Sequence, residues 1–153
     1  MPATTATSHA GKPVALALHS LGELAARVVG AAMLALTAAV HLRLYSHYGY
    51  RHINNIGTLF MLNAVGGFAL AVVVLGSPRR FLGLAAFAGA GYEATTLAGF
   101  VYALYHRLFG FQDSTHAPLW KTAVTAESVG IVVLSGITLL ALNRRRTHRV
   151  LEG

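Results

Sequence analysis

The sequence predicts an all-α polytopic membrane protein, a bundle of four transmembrane helices with both termini in the cytoplasm. Of its 153 residues, 55% are hydrophobic and only 11% are charged, whereas a soluble domain carries about 25% charged residues. Long apolar stretches contain at most one charge each, and basic residues cluster between and after them. This pattern excludes a soluble enzyme and a disordered chain. The absence of cysteine also excludes a disulfide scaffold or an iron–sulfur cluster within the chain.

Four stretches approach the roughly 20 apolar residues that a helix needs to cross the hydrocarbon core. The predicted spans are residues 24–45, 56–76, 81–105 and 119–143, within a transmembrane domain at 21–143. The second span is the clearest, because no charge lies between His52 and Arg79. The first is the weakest, because Arg27 and Arg43 must extend from its ends towards the head groups.

The segment before the first span, residues 1–20, is rich in Thr, Ala and Ser and predicts a flexible cytoplasmic tail. Its basic residue and the apolar stretch that follows also leave a cleaved signal peptide open as an alternative. The approach is long for a signal peptide, and no Ala-x-Ala stands at the expected place. We therefore favour a retained first span.

The basic residues predict the orientation. The turn at 77–80 and the basic tail at 144–153 lie on one side if two spans separate them, and positive charge favours the cytoplasmic side of the membrane. We therefore attribute the formal net charge of +7 to basic residues that set the topology and attract lipid head groups, and not to nucleic-acid binding. The residues in question are Arg79, Arg80, Arg144, Arg145, Arg146 and Arg149.

Small residues recur at four-residue spacing on the last two predicted spans, which allows close approach of helix backbones in lipid. They are Gly91, Thr95 and Gly99, then Ala85 and Gly89, then Ala126 and Gly130. Packing within the bundle and a face for a partner subunit or a second copy are both open.

Four polar residues inside the predicted spans form the first candidate site, because polar groups in lipid are costly and usually functional. They are His41, Asn63, Glu93 and Glu127, one from each span. From a rise of about 1.5 Å per residue, they lie roughly 6, 12, 18 and 12 Å below the outer surface. One buried polar site in the outer half of the bundle is therefore geometrically feasible. The alternative is that the glutamates only hold helices together by hydrogen bonds.

Five of the eight histidines fall at the predicted outer face. The imidazole side chain is a suitable ligand for a transition metal such as Cu, Zn or Fe. The candidate metal ligands are His41, His47, His52, His106 and His116, with Glu127. Interfacial anchoring and proton entry are the alternatives. Haem is less favoured, because only His41 lies at depth, and the sequence itself does not identify a cofactor.

Two segments of the chain carry a resemblance to other proteins. The first begins His41-Leu42-x-Leu44-Tyr45 and continues as Tyr50-Arg51-x-Ile53-x-x-Ile56-Gly57 to Leu62-Asn63-Ala64-Val65. The second is Leu108-Phe109-Gly110-Phe111, followed by Glu127 in the last span. Both resemble segments of small four-span membrane proteins of high-GC bacteria that have no assigned activity. The resemblance implies the four-span architecture and a bacterial plasma membrane, and no activity.

Three functions are compatible with these features. The first is a non-enzymatic accessory or assembly subunit of a larger membrane complex, or a self-associating bundle; no nucleophile–base pair or phosphate-binding loop is visible. The second is a small proton- or cation-coupled transporter that uses Glu93 and Glu127. The third is a metal or redox protein built on the outer histidines.

Overall fold

The structure, a computed structural model, describes the backbone of residues 11–151 and the side chains of residues 20–144. Within this part of the chain it is all-helical, which confirms the predicted class. The helices are α1 (Gly11–His47), α2 (Ile56–Gly76), α3 (Arg79–Tyr105) and α4 (Trp120–Leu151), with a 3-10 turn at Tyr50–His52.

The terminal helices are longer than the spans predicted from the sequence. The predicted tail at 1–20 lies partly outside the described residues, and its residues 11–20 belong to α1. Ala15-Leu16-Ala17-Leu18 in this segment are strong helix formers. Likewise, α4 runs on through the first residues of the basic tail as far as Leu151.

The four helices form a ring in chain order. α1 packs against α2 and α4, α3 packs against α4, and a smaller contact between α2 and α3 completes the ring. Only Ser77 and Pro78 separate α2 from α3, so these helices must run antiparallel. Pro78 has extended backbone angles and stands immediately before the first residue of α3.

Three of the helices are long and apolar enough to cross a membrane. The qualifying stretches are Ser20–His47, Ile56–Gly76 and Trp120–Arg144. α3 has sufficient length at 27 residues, but Glu93 and its many Ala, Gly and Thr residues lower its apolar content. A membrane protein is therefore supported, with three candidate spans among the described residues.

Large apolar side chains cover the outside of the bundle. Leu62, Val72, Phe87 and Val132 each have exposed fractions above 60%. Such extensive apolar exposure is unfavourable in water and favourable in hydrocarbon. The surface of the bundle is therefore suited to lipid.

The centre of the bundle is packed by one fully buried side chain from each helix. Leu34, Val74, Ala86 and Leu134 all have an exposed fraction of 0%. Gly89 lies beside this group, and a Cβ added there would come within 3.1 Å of Leu134. Thus part of the small-residue pattern on α3 serves packing within the chain.

One end of the bundle, here called the basic end, is held together by a single carboxylate. Glu23 of α1 accepts hydrogen bonds from Arg27 at 2.8 Å, from Arg79 at 3.2 Å and from Arg144 at 2.7 Å. Arg27 also donates to the backbone carbonyl of Ser77 at 2.7 Å. Glu23 therefore connects α1, α3 and α4, and Arg27 connects α1 to the α2–α3 turn.

Two arginines that the sequence singled out as topology signals thus also have structural partners. Arg79 and Arg144 pair with Glu23, and the guanidinium of Arg80 lies 4.8 Å from the centroid of the Phe81 ring. Arg145, Arg146 and Arg149 lie outside the residues whose side chains are described.

The opposite end, here called the loop end, consists of the 3-10 turn and residues 106–119. The 106–119 loop contains a two-residue hairpin in which Leu108 and Phe111 exchange backbone hydrogen bonds of 2.7 and 2.9 Å. Both central residues, Phe109 and Gly110, have positive φ, as a tight hairpin of this kind requires. A further bond from the Asp113 amide to the Ala103 carbonyl fixes the loop to the end of α3.

Adjacent glycines of α2 allow a matched test of this packing. A Cβ at Gly67 would come within 2.7 Å of the Tyr92 hydroxyl and 3.1 Å of the Leu34 carbonyl oxygen, whereas a Cβ at Gly66 meets only Tyr92 at 3.8 Å. We expect Gly67→Ala to lower the free energy of unfolding by about 1–3 kcal/mol. Gly66→Ala should leave it unchanged or slightly raised. Thermal unfolding in mild detergent measures both, and equal effects would contradict this packing.

Candidate functional site

A cavity of about 270 Å³ lies in the loop-end half of the bundle. All four helices, the 3-10 turn and the 106–119 loop contribute to its wall. Most of the wall is apolar or aromatic; the aromatic residues are Tyr50, Phe60, Phe100, Phe111 and Trp120. The polar residues are His41, Asn63, Thr95, Thr96, Asp113 and Glu127.

Two glutamates are buried at the inner side of this cavity. Glu127 belongs to the wall and has an exposed fraction of 1%, while Glu93 has an exposed fraction of 0%. Glu93 Oε2 accepts a hydrogen bond of 2.9 Å from the Thr37 hydroxyl. Glu93 Oε1 and Glu127 Oε2 are buried without a hydrogen-bond partner in the part of the chain that the structure describes. Among the described residues, ion pairs are formed by Glu23 and by neither of these two glutamates.

Gly130 provides the space that Glu93 occupies. A Cβ at Gly130 would lie 3.0 Å from both Cγ and Oε1 of Glu93. Gly130 follows Glu127 by three residues on α4, about one helical turn, so the unpartnered oxygen of Glu93 lies close to the segment that carries Glu127. Gly130, one member of the small-residue pair on α4, therefore accommodates the carboxyl group of Glu93.

Thr37 connects Glu93 to His41. Its hydroxyl donates to Glu93, and its backbone carbonyl is 2.9 Å from His41 Nδ1. Because a carbonyl oxygen only accepts hydrogen bonds, Nδ1 must carry a proton. In a neutral ring, Nε2 is then an acceptor. The His41 ring also packs against Phe60, with ring centroids 5.0 Å apart.

At the loop end, Tyr50 and Asp113 complete the polar part of the wall. Tyr50 packs against Phe60 and Phe111, with ring centroids 4.7 and 5.7 Å apart. Burial, followed by the charge of Asp113, raises the pKa of Tyr50 to about 12. Burial also raises the pKa of Asp113, against the opposing effect of the hydrogen bond from the Ser114 amide. Tyr50 is thus a neutral hydroxyl at ordinary pH.

The four polar residues singled out from the sequence fall in one region. His41, Asn63 and Glu127 line the cavity, and Glu93 lies behind its wall. Sequence reasoning missed Thr37, which is fully buried. Its position four residues before His41 was the available signal, since residues at this spacing share a helix face.

The candidate metal ligands are not gathered in the same way. His41 and Glu127 border the cavity, but the other four histidines are absent from its wall. His47 contacts Ser46, His52 accepts from Arg51, and the ring of His106 packs against Tyr102. The His116 amide donates to Ser114. Across the residues that the structure describes, no group of three or more His, Asp or Glu residues could hold a metal ion.

Comparisons of the chain with protein families, curated proteins and solved structures find no significant match. The site is therefore interpreted from its own geometry.

The contact between Thr37 and Glu93 generates a double-mutant test. We expect Thr37→Val and Glu93→Leu to be coupled by about 1–3 kcal/mol in the free energy of unfolding, since each removes one partner of the same buried hydrogen bond. Thr138→Val is the matched control, because the Thr138 hydroxyl bonds to the backbone carbonyls of Leu134 and Gly83 and not to Glu93. Unfolding in detergent measures the cycle. Coupling no larger than that of the control would contradict the contact.

Proposed function

We propose that this chain is a four-span protein of a bacterial plasma membrane, with both termini in the cytoplasm and the loop end outside. The arginines at the basic end support this orientation, because positive charge favours the cytoplasmic side. The fourth span is α3. Within residues 81–105 of α3 the charged residue is Glu93, which is fully buried, so the low apolar content of this stretch does not expose a charge to lipid.

The orientation can be tested with single cysteines, because the chain has none of its own. Ser114→Cys reports on the loop end, and Gly76→Cys reports on the basic end, where a Cβ meets nothing within 4 Å. In intact cells, a membrane-impermeant maleimide should label the first variant and leave the second unlabelled until the cells are permeabilised. The reverse pattern would contradict the orientation.

Within this architecture, we infer that the protein is a small proton- or cation-coupled transporter. The observation that carries this inference is the pair of buried carboxyl groups, each with an unpartnered oxygen, one of them in a cavity wall. A carboxylate buried in an apolar medium requires compensation of its charge. No Arg or Lys of the described residues pairs with either glutamate, so a proton or a bound cation must supply that compensation.

The need for charge compensation couples the proton to the cation, because each replaces the other at the carboxyl group. A protonated Glu127 releases its proton as a cation enters the cavity, and the resulting carboxylate then compensates the charge of the cation. Departure of the cation allows the proton to return. Thr37 holds one oxygen of Glu93 in place at 2.9 Å, and the other oxygen lies near Gly130 of α4.

A subunit-like role has one observation in its favour and stays a prediction. Gly91 is exposed, and a Cβ added there meets nothing within 4 Å, so part of the small-residue face of α3 is open rather than packed. Such a face suits close approach of another helix. Self-association is compatible with transport, because small transporters can operate as oligomers.

Proteoliposomes test the transport proposal with a panel of cations of different size and shape. With a pH-sensitive dye inside acidic vesicles, external Na⁺, K⁺, guanidinium or benzyltrimethylammonium is added in turn. We expect at least one of these to raise the internal pH through exchange for protons. Glu127→Gln should lower the rate by at least about tenfold, because loss of the exchanging group removes the coupled step. Glu93→Gln should also lower it.

The matched control is Glu23→Gln, which changes a carboxylate at the basic end, outside the cavity. It should retain the flux if the variant remains folded, as checked by its thermal unfolding. Flux that persists in Glu93→Gln and Glu127→Gln, or that is absent for every cation, would refute the transport proposal.

A further inference from the structure

We propose that the cavity binds a small organic cation with an apolar or aromatic body, its positive group at Glu127 and its body against the aromatic wall. The inference rests on the proposed cation site and assigns the substrate class that the cavity recognises.

The charges of the wall favour a cation over an anion. Two acidic residues, Asp113 and Glu127, belong to the wall, and none of the described residues that line it is Lys or Arg. Lys121 lies next to the wall residue Trp120, with its ammonium 5.8 Å from the centroid of that ring, but it does not line the cavity. Glu127 belongs to the wall, and its carboxylate can compensate the charge of an ammonium group by electrostatic attraction, which requires no N–H donor.

The remainder of the wall favours an organic rather than an inorganic cation. Transition metals are held by clustered His, Cys, Asp or Glu side chains, and among the described residues no group of three or more of these could hold a metal ion. By contrast, the aromatic faces of Tyr50, Phe60, Phe111 and Trp120 line the same space. Aromatic rings attract organic cations and pack against their apolar bodies.

The size of the cavity limits the occupant to a small molecule. Its volume of about 270 Å³ lies just below the range of about 300–1,000 Å³ for sites that hold drug-sized ligands. A one-ring amine or quaternary ammonium compound fits a cavity of this volume better than a multi-ring cation. Since the 106–119 loop and the 3-10 turn form part of the wall, the ligand would enter from the loop end.

Trp120 makes the proposal directly measurable, because it is the single tryptophan of the sequence and lies in the cavity wall. The purified protein in detergent is titrated with benzyltrimethylammonium while tryptophan emission is recorded, and calorimetry measures the affinity independently. Neopentylbenzene is the neutral analogue of the same shape, and benzenesulfonate is the anionic one. We expect the cation to bind at least about tenfold more tightly than either analogue, because only the cation forms a buried charge pair and cation–π contacts.

Two substitutions on α3 form a matched pair that tests whether the ligand binds in the cavity. Gly99 lines the cavity and Gly91 does not, while a Cβ at either position meets nothing within 4 Å. Gly99→Leu should therefore fill the cavity and abolish binding, and Gly91→Leu should leave the affinity unchanged. Both should unfold at temperatures close to that of the unmodified protein. Glu127→Gln should weaken binding of the cation by at least about tenfold and leave binding of the neutral analogue unchanged.

The outcomes separate this inference from the transport proposal. Binding of the cation without proton exchange for any cation would support the substrate class and refute transport. Exchange with Na⁺ or K⁺, but no binding of benzyltrimethylammonium, would support transport and overturn the substrate class. Equal affinity for the cation and its neutral analogue, or equal effects of Gly91→Leu and Gly99→Leu, would also overturn it.

Discussion

The structure depends on the burial of two carboxyl groups inside an apolar bundle. Burying a charge in hydrocarbon is costly unless a partner compensates it, yet within the described part of the chain Glu93 and Glu127 together receive one hydrogen bond, from Thr37. The surrounding helices are arranged to accommodate them: Gly130 provides space for Glu93, and His41 is held by the carbonyl of the same threonine. A group that is costly to bury and incompletely satisfied is the kind of group whose protonation or ligand binding can drive a change.

Buried carboxyl groups in the two halves of the bundle differ in how their charge is compensated. At the basic end, three arginines surround Glu23, so its charge is compensated within the protein and it joins three helices. In the loop-end half, Glu93 and Glu127 have no arginine or lysine partner among the described residues. Charge compensation at the first position is structural, whereas at the second it must come from a proton or a ligand. This contrast supports a structural role for one end and a functional role for the other.

Cavity formation is a property of the whole bundle rather than of one motif. The short turn at Ser77 and Pro78 holds α2 and α3 together at the basic end. At the loop end, the longer 106–119 segment turns back as a hairpin, and Leu108 and Phe111 enter the cavity wall. Aromatic contacts of Tyr50 with Phe60 and Phe111 connect the 3-10 turn to α2 and to this hairpin. The wall thus combines residues that are far apart in the chain.

The sequence by itself determined the helical class, the positions of the apolar stretches and which polar residues lie inside those stretches. It could do so because length, hydropathy and charge are local properties. Rotation of each helix about its axis was decided only by the tertiary structure. A helix that is apolar nearly all round carries no strong amphipathic signal for its orientation. Hence the pairing of Thr37 with Glu93, 56 residues apart, the space left by Gly130, and the dispersion of the outer histidines followed from packing between helices and could not be derived from the sequence.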